Sequence, residues 1–184
     1  CPNHVIDLGG SGTTGGDLTI DRVEMNYFQA ANMTISVDNG NVRVYEMNAF
    51  DTENLQVFMI NSTGTGNIEF EESSSFRHLR SSSGNTTMIH ADIKTTEGSM
   101  FLDAGYEIIQ STIDIKIISA DKMYLQGPGV GSIIFTAPAN FSAKQGMWID
   151  GPSTVRGTGY LIVDADSDFD AVGTIHVSPI ANMT

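Results

Sequence analysis

GTGYLIVDADSDFDAVGTIHV, residues 157–177, reads as two short strands, 160–163 and 174–177, each introduced by glycine. They are joined by a segment in which Asp164, Asp166, Asp168 and Asp170 alternate with other residues. The opening phrase, Gly-x-apolar-x-apolar, returns along the chain at Gly16, Gly40, Gly66, Gly98 and Gly131. Recurrence at this density marks a repeat architecture. From Gly16 to Gly159 the successive intervals are 24, 26, 32, 33 and 28 residues. A period of that size, holding two or three short strands, is what one coil of a parallel β-solenoid requires. Strands of successive coils lie about 4.8 Å apart, and their inward side chains stack into one apolar column. The predicted fold is therefore all-β, a parallel β-solenoid (β-helix) of about six to eight coils. The competing architecture is an antiparallel β-sandwich or jelly roll, whose strands also recur every roughly 8 to 12 residues. The repeated opening phrase favours the solenoid.

Period-2 alternation supports the strands between these glycines and assigns each one buried face. The predicted inward sets are Leu18/Ile20, Val23/Met25/Tyr27, Met33/Ile35/Val37, Val42/Val44, Leu55/Val57/Met59 and Ile68/Phe70. Further along they are Met88/His90, Met100/Leu102, Ile113/Ile115/Ile117, Met123/Leu125, Ile133/Phe135 and Met147/Ile149. Trp148 is out of phase with its neighbours and is expected to face outward. Residues 71–84, EESSSFRHLRSSSG, break the pattern and read as an exposed serine-rich loop or bulge carrying Arg77, His78 and Arg80. No amphipathic helix is evident; the best candidate, residues 22–31, fits alternation equally well. Residues 1–16 are glycine-rich and read as an N-terminal arm able to add a strand to a neighbouring sheet edge. The solenoid is assigned to residues 17–184 as a single domain.

Nine Lys and Arg stand against 22 Asp and Glu, a net charge of −13. Phosphate recognition needs a basic face, so nucleic acid is not an expected partner. No apolar run approaches the roughly 20 residues of a spanning helix. The single cysteine, Cys1, can form no disulfide within the chain; pairing with another chain or with sequence outside this one is the favoured reading, and a lipidated bacterial N-terminus and a chance cysteine are the alternatives. Five Asn-x-Ser/Thr sequons, at Asn32, Asn61, Asn85, Asn140 and Asn182, make the chain a candidate N-glycoprotein and point to an extracellular or cell-surface location.

The segment from Gly159 to Asp168, with its partner at Gly173–Val177, resembles the repeats of filamentous-haemagglutinin-type surface proteins. That resemblance implies a right-handed β-helix acting in adhesion or as an extracellular fibre. It extends loosely over residues 17–177.

The sharpest chemical signal is the alternating acidic series. In an extended strand Asp164, Asp166, Asp168 and Asp170 would share one face and repel, and a bound cation would relieve the repulsion. Calcium suits such hard oxygens, although the spacing is not that of an EF-hand loop; a solvated acidic turn is the alternative. No nucleophile elbow, zinc signature or phosphate loop is present, and His4, His78, His90 and His176 are dispersed. The chain is accordingly expected not to be an enzyme. The residual catalytic reading is a polysaccharide-active site built from Asp150, Asp164 and Arg156. The expected function is a structural building block of a fibre or surface assembly, joined end to end to copies of itself or to the rest of a longer chain. A carbohydrate-binding or adhesive module is the alternative, with Trp148 as a sugar platform.

Overall fold

The computed structural model describes residues 4–11, 15–110, 113–127, 133–151, 153–155 and 160–177. Strand β1 (Val5–Leu8) is followed by β2 (Leu18–Ile20), the one-turn helix α1 (Arg22–Met25) and β3 (Ala30–Asp38). The next round comprises β4 (Asn41–Val44), a 3₁₀ turn at Ala49–Thr52 and β5 (Leu55–Thr63). From there every round has three strands. They run β6 (Ile68–Phe70), β7 (Ser74–Phe76), β8 (Leu79–Ser83), then β9 (Thr86–Ile89), β10 (Ile93–Thr95), β11 (Met100–Ala104). Next come β12 (Glu107–Gln110), β13 (Ile115–Ser119), β14 (Lys122–Gln126), then β15 (Ile133–Phe135), β16 (Ala139–Ala143), β17 (Gly146–Asp150). The last described round is β18 (Ser153–Val155), β19 (Leu161–Asp164) and β20 (Ile175–Val177).

These strands form three sheets along the axis. Sheet A has the order β18-β15-β12-β9-β6-β4-β1-β2, sheet B β20-β17-β14-β11-β8-β5-β3, and sheet C β19-β16-β13-β10-β7. Their pairs are parallel, so the chain is a β-solenoid of about six turns. The antiparallel alternative is thereby excluded.

Two inward columns of sheet B show how the core is built. One runs Met33, Phe58, Leu79, Met100, Met123, Met147, Ile175; the other runs Ile35, Ile60, Ser81, Leu102, Leu125, Ile149, Val177. Successive members lie 21 to 28 residues apart in sequence, which is the true coil length. Apart from Met33 and the last layer, the apolar members are buried. Each contributes roughly 1.5–3 kcal/mol through the area it withdraws from water.

The glycines that matter most lie at the corner from sheet B to sheet A. A Cβ on Gly66 would collide with the Gly40 carbonyl, one on Gly105 with the Gly84 carbonyl, and one on Gly151 with the Gly127 carbonyl. At these three positions coils can stack at about 4.8 Å only if no side chain is present. Of the glycine-led phrases, those at Gly16, Gly40 and Gly66 open strands of sheet A, whereas Gly98 opens one of sheet B. Gly131 and residues 157–159 lie outside the described residues.

Several sequence expectations are corrected. In β5 Leu55 is buried as expected, but from there on the buried residues are Phe58, Ile60 and Ser62, while Val57 and Met59 are half-exposed. In β9 Ile89 is buried, and Met88 and His90 lie on the outer side. In β5 both alternating sets are largely apolar, and in β9 each holds one apolar residue beside threonine, so alternation alone cannot fix the phase. Ile113 precedes β13 and is exposed; Ile115 and Ile117 are buried as expected. Residues 22–25 are helical, because Asp21 and Glu24 form a reciprocal capping box: Asp21 Oδ1 accepts from Glu24 N at 2.8 Å, and Glu24 Oε2 accepts from Asp21 N at 3.1 Å.

The serine-rich stretch is not a loop but β7 and β8, with Ser74, Ser81 and Ser83 in the core. Small hydroxyls are tolerated inside because the neighbouring chain supplies acceptors. Ser62 Oγ donates to the Gly40 carbonyl at 2.6 Å, Thr95 Oγ1 to that of Gly98 at 2.6 Å, and Ser83 and Thr87 pair at 3.0 Å. Ser81 Oγ is the exception among the described residues: it is buried without a partner.

The segment expected to be an arm contributes β1 to the chain's own sheet. It sits between β2 and β4, out of sequence order. Asp7, fully buried, holds it there. Arg43 donates from Nε to Oδ1 at 2.8 Å and from Nη2 to Oδ2 at 2.9 Å, and Gly16 N donates to Oδ2 at 2.8 Å. The bonded Asp7 carboxylate holds the Arg43 guanidinium above its ordinary pKa, against the opposing effect of burial.

Candidate functional site

Sheet B carries an ordered outer face. Register aligns Met59, Arg80, Phe101, Tyr124, Trp148 and His176 in one row. Phe101 and Tyr124 stack with centroids 4.3 Å apart and planes 2° apart; Tyr124 and Trp148 stack at 4.8 Å and 13°. The Arg80 guanidinium lies 5.7 Å from the Phe101 centroid, and Lys122 Nζ lies 5.9 Å from that of Trp148. The outward position expected of Trp148 is observed. Trp148 gives one ring face to Tyr124, which is itself stacked on both sides, and Phe101 lies between Tyr124 and Arg80. The row is a strut that ties successive coils together.

The positive cluster is likewise engaged within the chain. Arg77 donates from Nε and Nη2 to Glu97 Oε2 at 2.9 and 2.6 Å, and from Nη1 to the Glu53 carbonyl at 2.8 Å. In the middle of sheet A, on β6, burial pushes the Glu69 carboxyl up from its ordinary 4.5, and neighbouring Glu71 adds to the shift against the opposing pull of Arg43.

The acidic series does not run as an extended strand. β19 ends at Asp164, and the chain turns through left-handed backbone at Phe169 (φ 60) and Ala171 (φ 65). The turn brings Asp166, Asp168 and Asp170 together, with one carboxylate oxygen from each within 4.8 Å of the others. Asp164 is not part of that group; its Oδ1 accepts from Asp166 N at 3.2 Å. Asp166 accepts from Asp170 N and Ala171 N, both at 3.1 Å, and Asp170 accepts from Val172 N at 2.9 Å. Amides of the turn thus take three of the acceptor sites of Asp166 and Asp170. Asp150 and Asp164 belong to different sheets, B and C, and Arg156 lies outside the described residues.

Four sequon asparagines are described. Asn32 is exposed on β3, an edge strand; Asn61 and Asn140 are half-buried on outer faces. Asn61 Nδ2 donates to Ser36 Oγ at 3.0 Å. Asn85 belongs to an internal ladder: its Nδ2 donates to Asn67 Oδ1 at 2.9 Å, and Asn67 N donates to Asn41 Oδ1 at 3.0 Å. Cys1 and Asn182 lie outside the described residues.

The last described layer of sheet B leaves core positions partly open. Ile175 and Val177 occupy core positions, yet they are 50% and 36% exposed, whereas Met147 and Ile149 directly beneath them are 0% and 2% exposed. Among the described residues the only neighbour of β20 in sheet B is β17. No helix among the described residues is long and apolar enough to cross a membrane. Among the described residues the fold is a parallel β-solenoid whose sheet B columns reach a last layer with Ile175 and Val177 partly exposed. No family model, curated protein or solved structure matches the chain.

Proposed function

We propose that the protein is an extracellular structural element, a rigid β-solenoid building block of a fibre or surface assembly that joins end to end through sheet B. The observation that carries this reading is the open layer at β20. Ile175 and Val177 stand in the same columns as Met33 and Ile35 of β3, the opposite edge of the sheet. A second copy, or more chain of the same kind, laid on β20 would extend both columns by one strand spacing. Such a head-to-tail contact is heterologous, and if it does not close into a ring it propagates as a filament. The free strand edge supplies backbone donors and acceptors to the same partner. The sequons at Asn32 and Asn61, both on strands of sheet B, support a secretory route and glycosylation of that outer face.

Negative-stain electron microscopy and sedimentation of the purified full chain test the proposal. The expected result is rods longer than one chain, or oligomers that grow with concentration, both lost on changing Ile175 and Val177 together to Glu. Single short particles at every concentration up to about 100 μM, a range in which weak specific association with Kd in the micromolar range would be seen, would overturn it.

A further inference from the structure

We infer that the outer face of sheet C is a cleft for a linear polysaccharide, independent of the end-to-end contact. Three depressions lie along it, of about 680, 240 and 220 Å³. The first and second share Asn48 and Ser75, and the second and third share Asp92 and Lys116, so they are segments of one groove. It begins beside the 3₁₀ turn, where a helical turn replaces the strand that later rounds put into sheet C, and it extends to β19. Four strand spacings separate β7 from β19, about 19 Å in all. That length takes a chain of several rings rather than a single small molecule.

The chemistry of the lining suits sugar. Phe50 at one end and Tyr160 at the other are 77% and 58% exposed. Neither ring is stacked on another aromatic ring among the described residues, in contrast to the row on sheet B. Each therefore offers the free face against which sugar C–H groups pack. Between them the floor alternates donors and acceptors: Lys94 and Lys116, Asp92 and Asp114, the Asn140 amide. The Arg77–Glu97 pair is fixed beside Phe50 by its own hydrogen bonds, so it meets a ligand with little ordering cost. Carboxylates and cations are interspersed, which suits hydroxyls that both donate and accept. A strongly cationic peptide would meet Arg77, Lys94 and Lys116 along the same path.

The test is calorimetric titration of the full chain, made without glycans so that Asn140 is bare, against defined hexasaccharides: a β-1,4-glucan, a chitin oligomer and a uronate oligomer. A lysine-rich decapeptide is the comparison. The expected result is binding of at least one hexasaccharide with Kd between about 10 μM and 1 mM. Phe50→Ala and Tyr160→Ala should each weaken that binding by roughly tenfold or more, as expected of buried aromatic anchors. Tyr27→Ala, an exposed tyrosine outside the groove, should leave it unchanged. No binding by any of the three sugars at about 10 mM, binding indifferent to Phe50→Ala and Tyr160→Ala, or preference for the peptide would each overturn the inference. Sedimentation of the Phe50→Ala/Tyr160→Ala variant separates this outcome from end-to-end joining, which the substitutions leave intact.

Discussion

Replacing Ser81 by alanine should make the protein more stable, against the usual direction for a core substitution. Ser81 stands in an otherwise apolar column, between Ile60 and Leu102, and its hydroxyl is buried with no partner. A buried hydroxyl without a hydrogen bond costs about 1–3 kcal/mol. Removing one oxygen leaves roughly 10 Å³ of new void, worth about 0.2 kcal/mol at the usual cavity cost. The gain should therefore be about 1–2 kcal/mol. Ser62 is one coil away on the same sheet and equally buried, but its hydroxyl donates to the Gly40 carbonyl at 2.6 Å. Ser62→Ala should lose about 1 kcal/mol. Urea unfolding followed by circular dichroism reads both: with an unchanged m-value of about 2 kcal/mol/M, the midpoints should move by roughly half a molar in opposite directions. A Ser81→Ala protein less stable than the parent by about 1 kcal/mol would refute the reasoning, since it would require a bonded partner for that hydroxyl, such as an enclosed water.

Asp7→Ala should cost about 3–5 kcal/mol, because it strands Arg43 beside a buried site, and hydrogen exchange should show β1 losing protection before the later coils. Gly105→Ala should be severely destabilising, since the new methyl would strike the Gly84 carbonyl, whereas Gly127→Ala meets nothing within 4 Å and should change the urea midpoint little. Glu69→Gln should stabilise at neutral pH and not in acid. Because the folded carboxyl titrates above its ordinary 4.5, the parent carries no penalty below that value and acquires one as pH rises through the raised folded value. The two proteins' melting curves should therefore converge toward pH 4 and separate toward pH 7, the window fixed by that direction of shift.

Much of the architecture was legible because one physical rule dominates it. Met100/Leu102, Met123/Leu125 and Met147/Ile149 alternate with polar or outward residues, and parallel stacking turns each pair into a rung of the same column. Trp148 is placed outward by that rule alone. The rule failed where both phases were apolar, as in β5. It failed again where burial depends on a neighbour distant in sequence: nothing local marks Ser74 or Ser83 as core residues, since the groups that surround them come from other coils. The helical turn at residues 22–25 had a readable signal in Asp21 and Glu24, outweighed by the apparent alternation of Val23, Met25 and Tyr27. For the acidic series the extended arrangement fails because left-handed backbone at Phe169 and Ala171 reverses the chain, and the alternative of an acidic turn, equally legible in the sequence, describes the geometry. The sheet C groove could not be seen in sequence at all; its lining comes from turns and strands spread over about a hundred positions, from Asn48 to Ile162.

The placement of β1 gives the rod a mechanical polarity. A solenoid pulled from the β20 side can shed one layer after another, each strand peeling from a single neighbour. Tension applied ahead of β1 meets a strand gripped by β2 and β4 at once and pinned by the Asp7 clamp. That segment must slide out whole against two ladders before any coil can unwind. Anchored by this end, the protein would resist extraction by a rate-limiting shear event; anchored by the other, it would unravel gradually under load.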